Sequence, residues 1–323
     1  MSPSVLAQAQ APAQAASSAS TPFLQGLASG AIRSCTSVLY ASLGEVIVER
    51  AGMVNLGLEG CMLTGACFGF VVAFQTGNPF VGLVAAALAG GIFNLVLGYL
   101  VVTRRANQLA SGLTLLFLAY GLTALVGWDY VGKKIDGLSL VSIPLLSQIP
   151  FIGPILFEGD VMSFGMLPTA LGVWWVLYRT RWGLSLRTVG ESRGAAFAAG
   201  LNPDRIQYQA LFIGGLLGGI GGAHLSLAYA RVWIEQMTAG RGFIAVAIVI
   251  FASWHPVRAI VGALLFGGAI AFQLQLQARN AAVSPFLLDM LPYLVTLLVL
   301  LIWGRRRQYQ APEGLWEVFQ GTS

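Results

Sequence analysis

The residues able to do chemistry in this sequence are few, and most of them fall in two clusters. Between Gly44 and Gly60 stand the carboxylates Glu45, Glu49 and Glu59, together with Arg50 and Asn55 and the glycines Gly44, Gly52, Gly57 and Gly60. That many glycines argue against one continuous helix, since each costs about 1 kcal/mol relative to Ala in a helix interior. Two readings follow. The stretch is a broken or re-entrant element lining a cavity, where protein or water satisfies non-helical backbone at membrane depth. Or it is a solvated turn with an ordinary Glu49–Arg50 surface pair. Glu45 and Arg50 fit the turn; for Asn55 and Glu59, nearer the next apolar run, both readings stay open. The second cluster, Arg179–Arg205, is the longest polar segment of the chain. Within it Glu191–Ala199 is Ala-rich and helix-prone, and Gly200 and Pro203 stop it. A short helix flanked by arginines is either a membrane-surface helix or a docking knob for a soluble partner.

Catalysis finds little purchase. His224 and His255 lie far apart, without an HExxH or any second ligand at metal spacing. His224 and Ser226, at i and i+2, do not share a helix face. The sequence contains no GxxxxGK[ST], so it hydrolyses no ATP by a phosphate loop. The glycines Gly214, Gly215, Gly218, Gly219, Gly221 and Gly222 follow no strand, and Gly214, Gly218 and Gly222 share one helix face, the small-xxx-small pattern of close-packed membrane helices. Cys35, Cys61 and Cys67 form no CxxC pair, which argues against a zinc knuckle or disulfide framework.

The elements that must position these residues belong to a membrane protein. Of 323 residues 56% are hydrophobic and only 10% charged, against roughly 25% charged in soluble domains. Residues 1–22 are uncharged Ala, Gln, Ser and Pro, too interrupted for a signal core, and read as a disordered tail. The spans fall at 23–43, 56–74, 79–103, 108–128, 162–178, 206–230, 243–254, 259–278 and 286–303, eight or nine helices of which 243–254 is half-length. The fold class is therefore all-α and polytopic, with a membrane domain at 23–304 and a C-terminal tail at 305–323. Alternation places twelve Lys/Arg, including Arg50, Arg104, Arg179, Arg193 and Arg305–Arg307, on one side and five, including Lys133 and Lys134, on the other. The positive-inside rule makes the first group cytoplasmic, with the C-terminus inside. It also accounts for the net charge of +5 without nucleic acid.

The segments GEVIVERAGMVNLGLEGCMLTGA, ANQLASGL, RTRWGLSLRTVGESRGAAFAAGLN, MTAGRGFIAVAIVIFASWHP and MLPYLVTLLVL resemble, in order, the inner-membrane permeases of bacterial ABC importers. Within them the likeness is to the branched-chain amino acid/ribose-type superfamily and its nucleoside (simple-sugar) subgroup. Ala252, in place of a usual Gly, and Cys61 and Cys67 depart from that pattern. The resemblance implies transport rather than enzymology, with ATP and Mg bound by a separate ATPase subunit and no cofactor in this chain. It implies a second, homologous permease chain, an extracytoplasmic substrate-binding protein, and a bacterial inner membrane as the site. It makes the stretch at Val189–Asn202 the coupling helix, with Gly190, Glu191, Ala195, Ala196, Ala199 and Gly200 offered to the ATPase. A neutral polar substrate would suit Asn55, Glu59, Asn107, Gln108 and Ser111 as path residues, although Asn and Gln also join membrane helices. A monosaccharide or branched-chain amino acid is the alternative cargo, and a self-contained secondary carrier the alternative machine.

Overall fold

The computed structural model describes residues 23–142, 157–279, 284–303 and 311–315, with 144, 149, 153 and 155. The tail at 1–22 and Arg305–Arg307 lie outside the described residues. Among the described residues eleven α-helices follow one another: α1 Phe23–Arg50, α2 Leu58–Thr76, α3 Pro79–Gly98, α4 Gln108–Gly127, α5 Val161–Arg179, α6 Arg181–Glu191, α7 Arg193–Ala198, α8 Pro203–Ala223, α9 Arg241–Phe251, α10 Pro256–Ala278 and α11 Pro285–Trp303. Helices α3 and α8 run on as π-helical turns, Tyr99–Thr103 and His224–Tyr229. Among the described residues seven helices are long and apolar enough to cross a membrane, with α9 and part of α11 as shorter apolar pieces.

Local chemistry explains most helix starts. Asn78, Asn107, Asp160, Thr180, Ser192 and Asn202 each accept a backbone N–H from the first turn of the following helix, as N-cap side chains do. Pro79 and Pro203 then occupy first-turn positions, where the missing N–H costs nothing.

The glycine run forms the centre of the bundle, as its small-residue face requires. Helix α8 is packed by α1, α2 and α3 at once. A Cβ on Gly44 of α1 would lie 2.5 Å from the Gly214 carbonyl oxygen, one on Gly65 of α2 2.5 Å from Gly219 Cα, and one on Gly90 of α3 2.8 Å from Gly219 Cα. Backbones in direct contact are how membrane helices gain dispersion energy without a hydrophobic drive between them. Outside this centre the apolar residues point away: Phe80, Val84, Leu88, Ile92 and Val96 form an exposed stripe on α3 at four-residue spacing.

The ends of the bundle sort by charge. At one end Arg50 reaches Tyr178, and Arg193 reaches Asp204. At the other, Lys133 Nζ stands 5.2 Å from the Phe74 ring and 5.1 Å from the Tyr130 ring. The lysine end also carries an antiparallel pair, β1 Leu140–Ser142 and β2 Glu158–Asp160. These are called the arginine end and the lysine end below.

Candidate functional site

The stretch after α1 turns back into the bundle. The Asn55 backbone N–H donates to Glu45 Oε1 at 3.0 Å, although Glu45 lies five residues before the end of α1. At 1.5 Å per residue the turn therefore re-enters by about 7 Å. Glu45 is fully buried, which corrects its assignment to a solvated turn. Arg50 is no surface ion-pair partner either: its Nε donates to the Trp254 carbonyl at 3.0 Å and one Nη to the Tyr178 hydroxyl at 3.2 Å. Glycines made the stretch look like a loop in water, but here they let backbone lie against backbone. Gly52 meets Gly190, and Gly57 meets Gly112.

Of the five expected path residues, Asn55 lies in this re-entrant turn and Gln108 bonds to it. Asn55 is fully buried, and its Nδ2 donates to Asn94 Oδ1, whose own Nδ2 donates to the Leu211 carbonyl. Gln108 accepts the Val54 N–H at 2.9 Å, and Ser111 sits on the next turn of α4, buried. Asn107 is exposed and caps α4 through Ala110 N–H. The carboxylate of Glu59 reaches into a different element. It accepts from Thr238 Oγ1 at 2.6 Å, Gly240 N–H at 2.8 Å and Gly242 N–H at 2.5 Å. Asn55 and Glu59 thus hold secondary structure together at depth, with their polar atoms turned to protein.

What Glu59 holds is a broken crossing. After Tyr229 the chain pairs with the lysine-end loop through Val232 and Trp233. It then descends without helix to Gly240, and α9 completes the passage in 11 residues, about 16 Å. Contacts with α1 set its depth: Ser34 meets Tyr229, Ser42 Oγ donates to the Ala245 carbonyl, and Arg50 meets Trp254. The start of α9 therefore lies near mid-bundle, its amide dipoles directed at a buried carboxylate. That arrangement is favourable because a helix N-terminus carries about half a positive charge. Arg231, Gln236 and Ala239 adopt positive φ along the descent, a conformation uncommon for residues with a side chain and concentrated at functional segments. Gln236 and the α4 residues Thr114 and Phe117 are exposed, and the Phe117 and Tyr120 rings meet edge to face at 6.3 Å.

At the arginine end, Ser192 breaks the expected Glu191–Ala199 helix. Its extended backbone ends α6, and its hydroxyl caps the six-residue α7. Of the residues expected to face a partner, Glu191, Ala195, Ala199 and Gly200 are exposed, whereas Gly190 and Ala196 are buried within this chain. Gly190 is covered by Arg50, Gly52 and Gly314. The outward side chain is Phe197, 73% exposed. It lines a groove with Arg105, Arg193, Gly194, Leu201 and Asp204. An Arg193 Nη donates to Asp204 and another, at 2.7 Å, to Gln207 Oε1. Gln207 Nε2 in turn donates to the Ala51 carbonyl at 3.2 Å.

Two titratable groups outside the spans complete the polar inventory. His255, in the turn before α10, stacks on Tyr178 at 5.4 Å. Burial, then the charges of Arg258 and Arg50, push its imidazole below its ordinary value. Asp160 caps α5 at the lysine end and lies 3.4 Å from His224 Nε2. Burial opposes its charge, but His224 and Ser163 outweigh that and hold the carboxyl well below the usual range. Thr238, Trp254 and Phe197 lie in segments that carry the resemblance, but their individual roles could not be read there, because each depends on a partner more than 170 positions away or on exposure in the fold.

Comparison with known proteins agrees with this architecture. Residues 27–300 match a family described as the permease component of the branched-chain amino acid transport system. TsgC13 of Haloferax volcanii, named as a glucose ABC transporter permease, is 39% identical over 267 residues, 81% of each chain. The nucleoside ABC transporter permease NupC of Lactococcus lactis is 34% identical, covering 83% of this chain and 89% of its own. The guanosine ABC transporter permease NupQ of Bacillus subtilis is 34% identical over 81% of this chain and 87% of its own. With the buried re-entrant turn, the interrupted crossing and a match over most of its length, the chain belongs to the branched-chain amino acid-type family of ABC transporter permeases.

Proposed function

We propose that the chain is the membrane subunit of an ATP-driven importer of nucleosides, in a bacterial inner membrane with its arginine end and C-terminus in the cytoplasm. The reading rests first on the interrupted crossing. Backbone without helix survives at membrane depth only where it is buried in protein or lines a water-filled cavity, and here it is tied to Glu59 through Thr238 and Gly240 while Gln236 stays exposed. Ser111, Thr114 and Gln236 would offer uncharged hydrogen bonds, and Phe117 with Tyr120 a surface on which a base stacks. Asn55, Glu59, Asn107 and Gln108 would act on the path by fixing the elements that line it. The names of NupC and NupQ favour a nucleoside, whereas that of TsgC13 supports glucose as the second reading.

Energy would come from outside the chain, through an ATPase subunit that binds ATP and Mg. It would seat on α7 with Phe197 as the projecting side chain and Glu191, Ala195, Ala199 and Gly200 around it. The related NupP, a second guanosine permease of Bacillus subtilis, supports pairing with a homologous second permease chain. A binding protein would deliver substrate at the lysine end. Phe197→Asp tests the docking: the permease should reach the membrane in normal amount yet lose the co-purifying ATPase. Retention of the ATPase by that variant would refute α7 as the docking element. Labelled guanosine and labelled glucose offered separately decide between the two cargoes: a nucleoside importer should accumulate guanosine and not glucose, and a glucose importer the reverse.

A further inference from the structure

The mechanism above needs a connection between α7 at the rim and the interrupted crossing at mid-bundle, and Glu49, Arg50 and Trp254 stand where it must run. Helix α9 ends in a turn in which Ser253 and Trp254, neither of them glycine, both take positive φ, 52° and 55°. Such a pair persists only where surroundings hold it. The last two residues of α1 do so from both sides. Arg50 donates to the carbonyls of Trp254 and Ser253, at 3.0 and 3.4 Å. Glu49 Oε2 accepts the Trp254 indole N–H, both side chains being buried. The other end of α9 is held by Glu59 through Gly240 and Gly242. An 11-residue helix fixed at both ends moves as one piece. On the rim side the next residue, Ala51, takes the hydrogen bond from Gln207, which Arg193 of α7 holds in turn. Gly52 packs on Gly190 of α6.

We propose that Glu49, Arg50 and Trp254 are positioning residues forming a clamp, and that through it movement of α6 and α7 is passed to α9 and so to the Gln236–Gly240 segment. The inference rests on the importer reading and adds to it the route by which ATP hydrolysis reaches the substrate path. Contiguity alone does not establish coupling, so the test reads coupling itself. The complete transporter is reconstituted in liposomes with its ATPase and binding protein, and substrate moved per ATP hydrolysed is measured for Trp254→Phe, Glu49→Leu and Glu49→Gln.

Trp254→Phe keeps a ring but removes the N–H, and Glu49→Leu removes the acceptor. Both should assemble with the ATPase and hydrolyse ATP at the wild-type basal rate, while transport per ATP falls at least fivefold. Glu49→Gln keeps an acceptor oxygen and should retain at least half of the wild-type ratio. Pairing Trp254→Phe with Glu49→Leu should do no further harm, since both remove one bond. Equal losses of uptake and hydrolysis, an unchanged ratio, or a Gln variant as damaged as the Leu variant would overturn the clamp. So would absence of both uncoupling variants from the membrane, which would assign the contact to folding. Failure of the wild-type transporter to take up substrate with ATP would overturn the importer reading, and the clamp with it.

Discussion

Replacing Glu59 by Gln should loosen the interrupted crossing by an amount that follows from its three hydrogen bonds. One carboxylate oxygen serves Thr238 and Gly240, and the other serves Gly242. An amide retains one acceptor oxygen and turns an NH₂ group toward a donor on the remaining side. At best one backbone N–H is then left facing another donor in a buried site, at a cost of about 1–3 kcal/mol. Loss of the negative charge at the N-terminus of α9 adds about 0.3–2 kcal/mol. The sum, about 3 kcal/mol, corresponds to a fall in melting temperature of roughly 6–12 °C at about 2–4 °C per kcal/mol. Thermal unfolding of the purified protein in detergent, followed by reaction of its buried cysteines with a fluorogenic thiol reagent, measures this. Glu59→Asp, too short to reach all three donors, should fall between Gln and wild type or below both. A Gln variant with unchanged melting temperature would refute the claim that the carboxylate pins α9, because the lost bonds would then cost nothing.

Other expectations follow from the same contacts. Gly65→Ala should push α2 from α8, since its Cβ would lie 2.5 Å from Gly219 Cα. About 1–3 kcal/mol of overpacking is expected, seen as a lower melting temperature and less protein in the membrane. Asp160→Ala removes the cap of α5 and the partner of His224. It should cost about 2 kcal/mol in the same unfolding assay. His255 has a depressed folded pKa, so the stability it contributes is present above about pH 6.5 and is lost as pH falls below that toward the folded value. His255→Gln should flatten the decline in melting temperature between about pH 7 and pH 5. In a cysteine-free background, a cysteine at position 193 should resist an impermeant maleimide in intact cells, while one at position 133 reacts.

The bundle was legible because membrane crossing writes itself into composition: long uncharged runs separated by rare arginines allow few alternatives. Helix starts were legible as well, since Asn78, Asn107 and Asn202 carry their own capping chemistry. The polar interior was not. Glu45 and Arg50 sit among glycines in a pattern shared by solvated turns and re-entrant ones, and only Asn55 folding back onto Glu45 separates the two. The half-length of α9 could be read from the uncharged run of 12 residues at 243–254, but the partner of its N-terminus, Glu59, lies more than 170 positions upstream. Ala196 shows a third limit. Its size suits a docking surface or an internal contact equally, and the turn of α7 directs it inward while exposing Phe197.

Uptake by liposomes of defined composition tests the central claim most directly. The chain is reconstituted with its ATPase, second permease and binding protein, and labelled guanosine is offered outside with ATP enclosed with the ATPase. Accumulation that requires ATP and ceases when the ATPase is omitted is the predicted result. Accumulation by this chain alone, driven by a proton or sodium gradient and indifferent to ATP, would contradict the account and make it a secondary carrier.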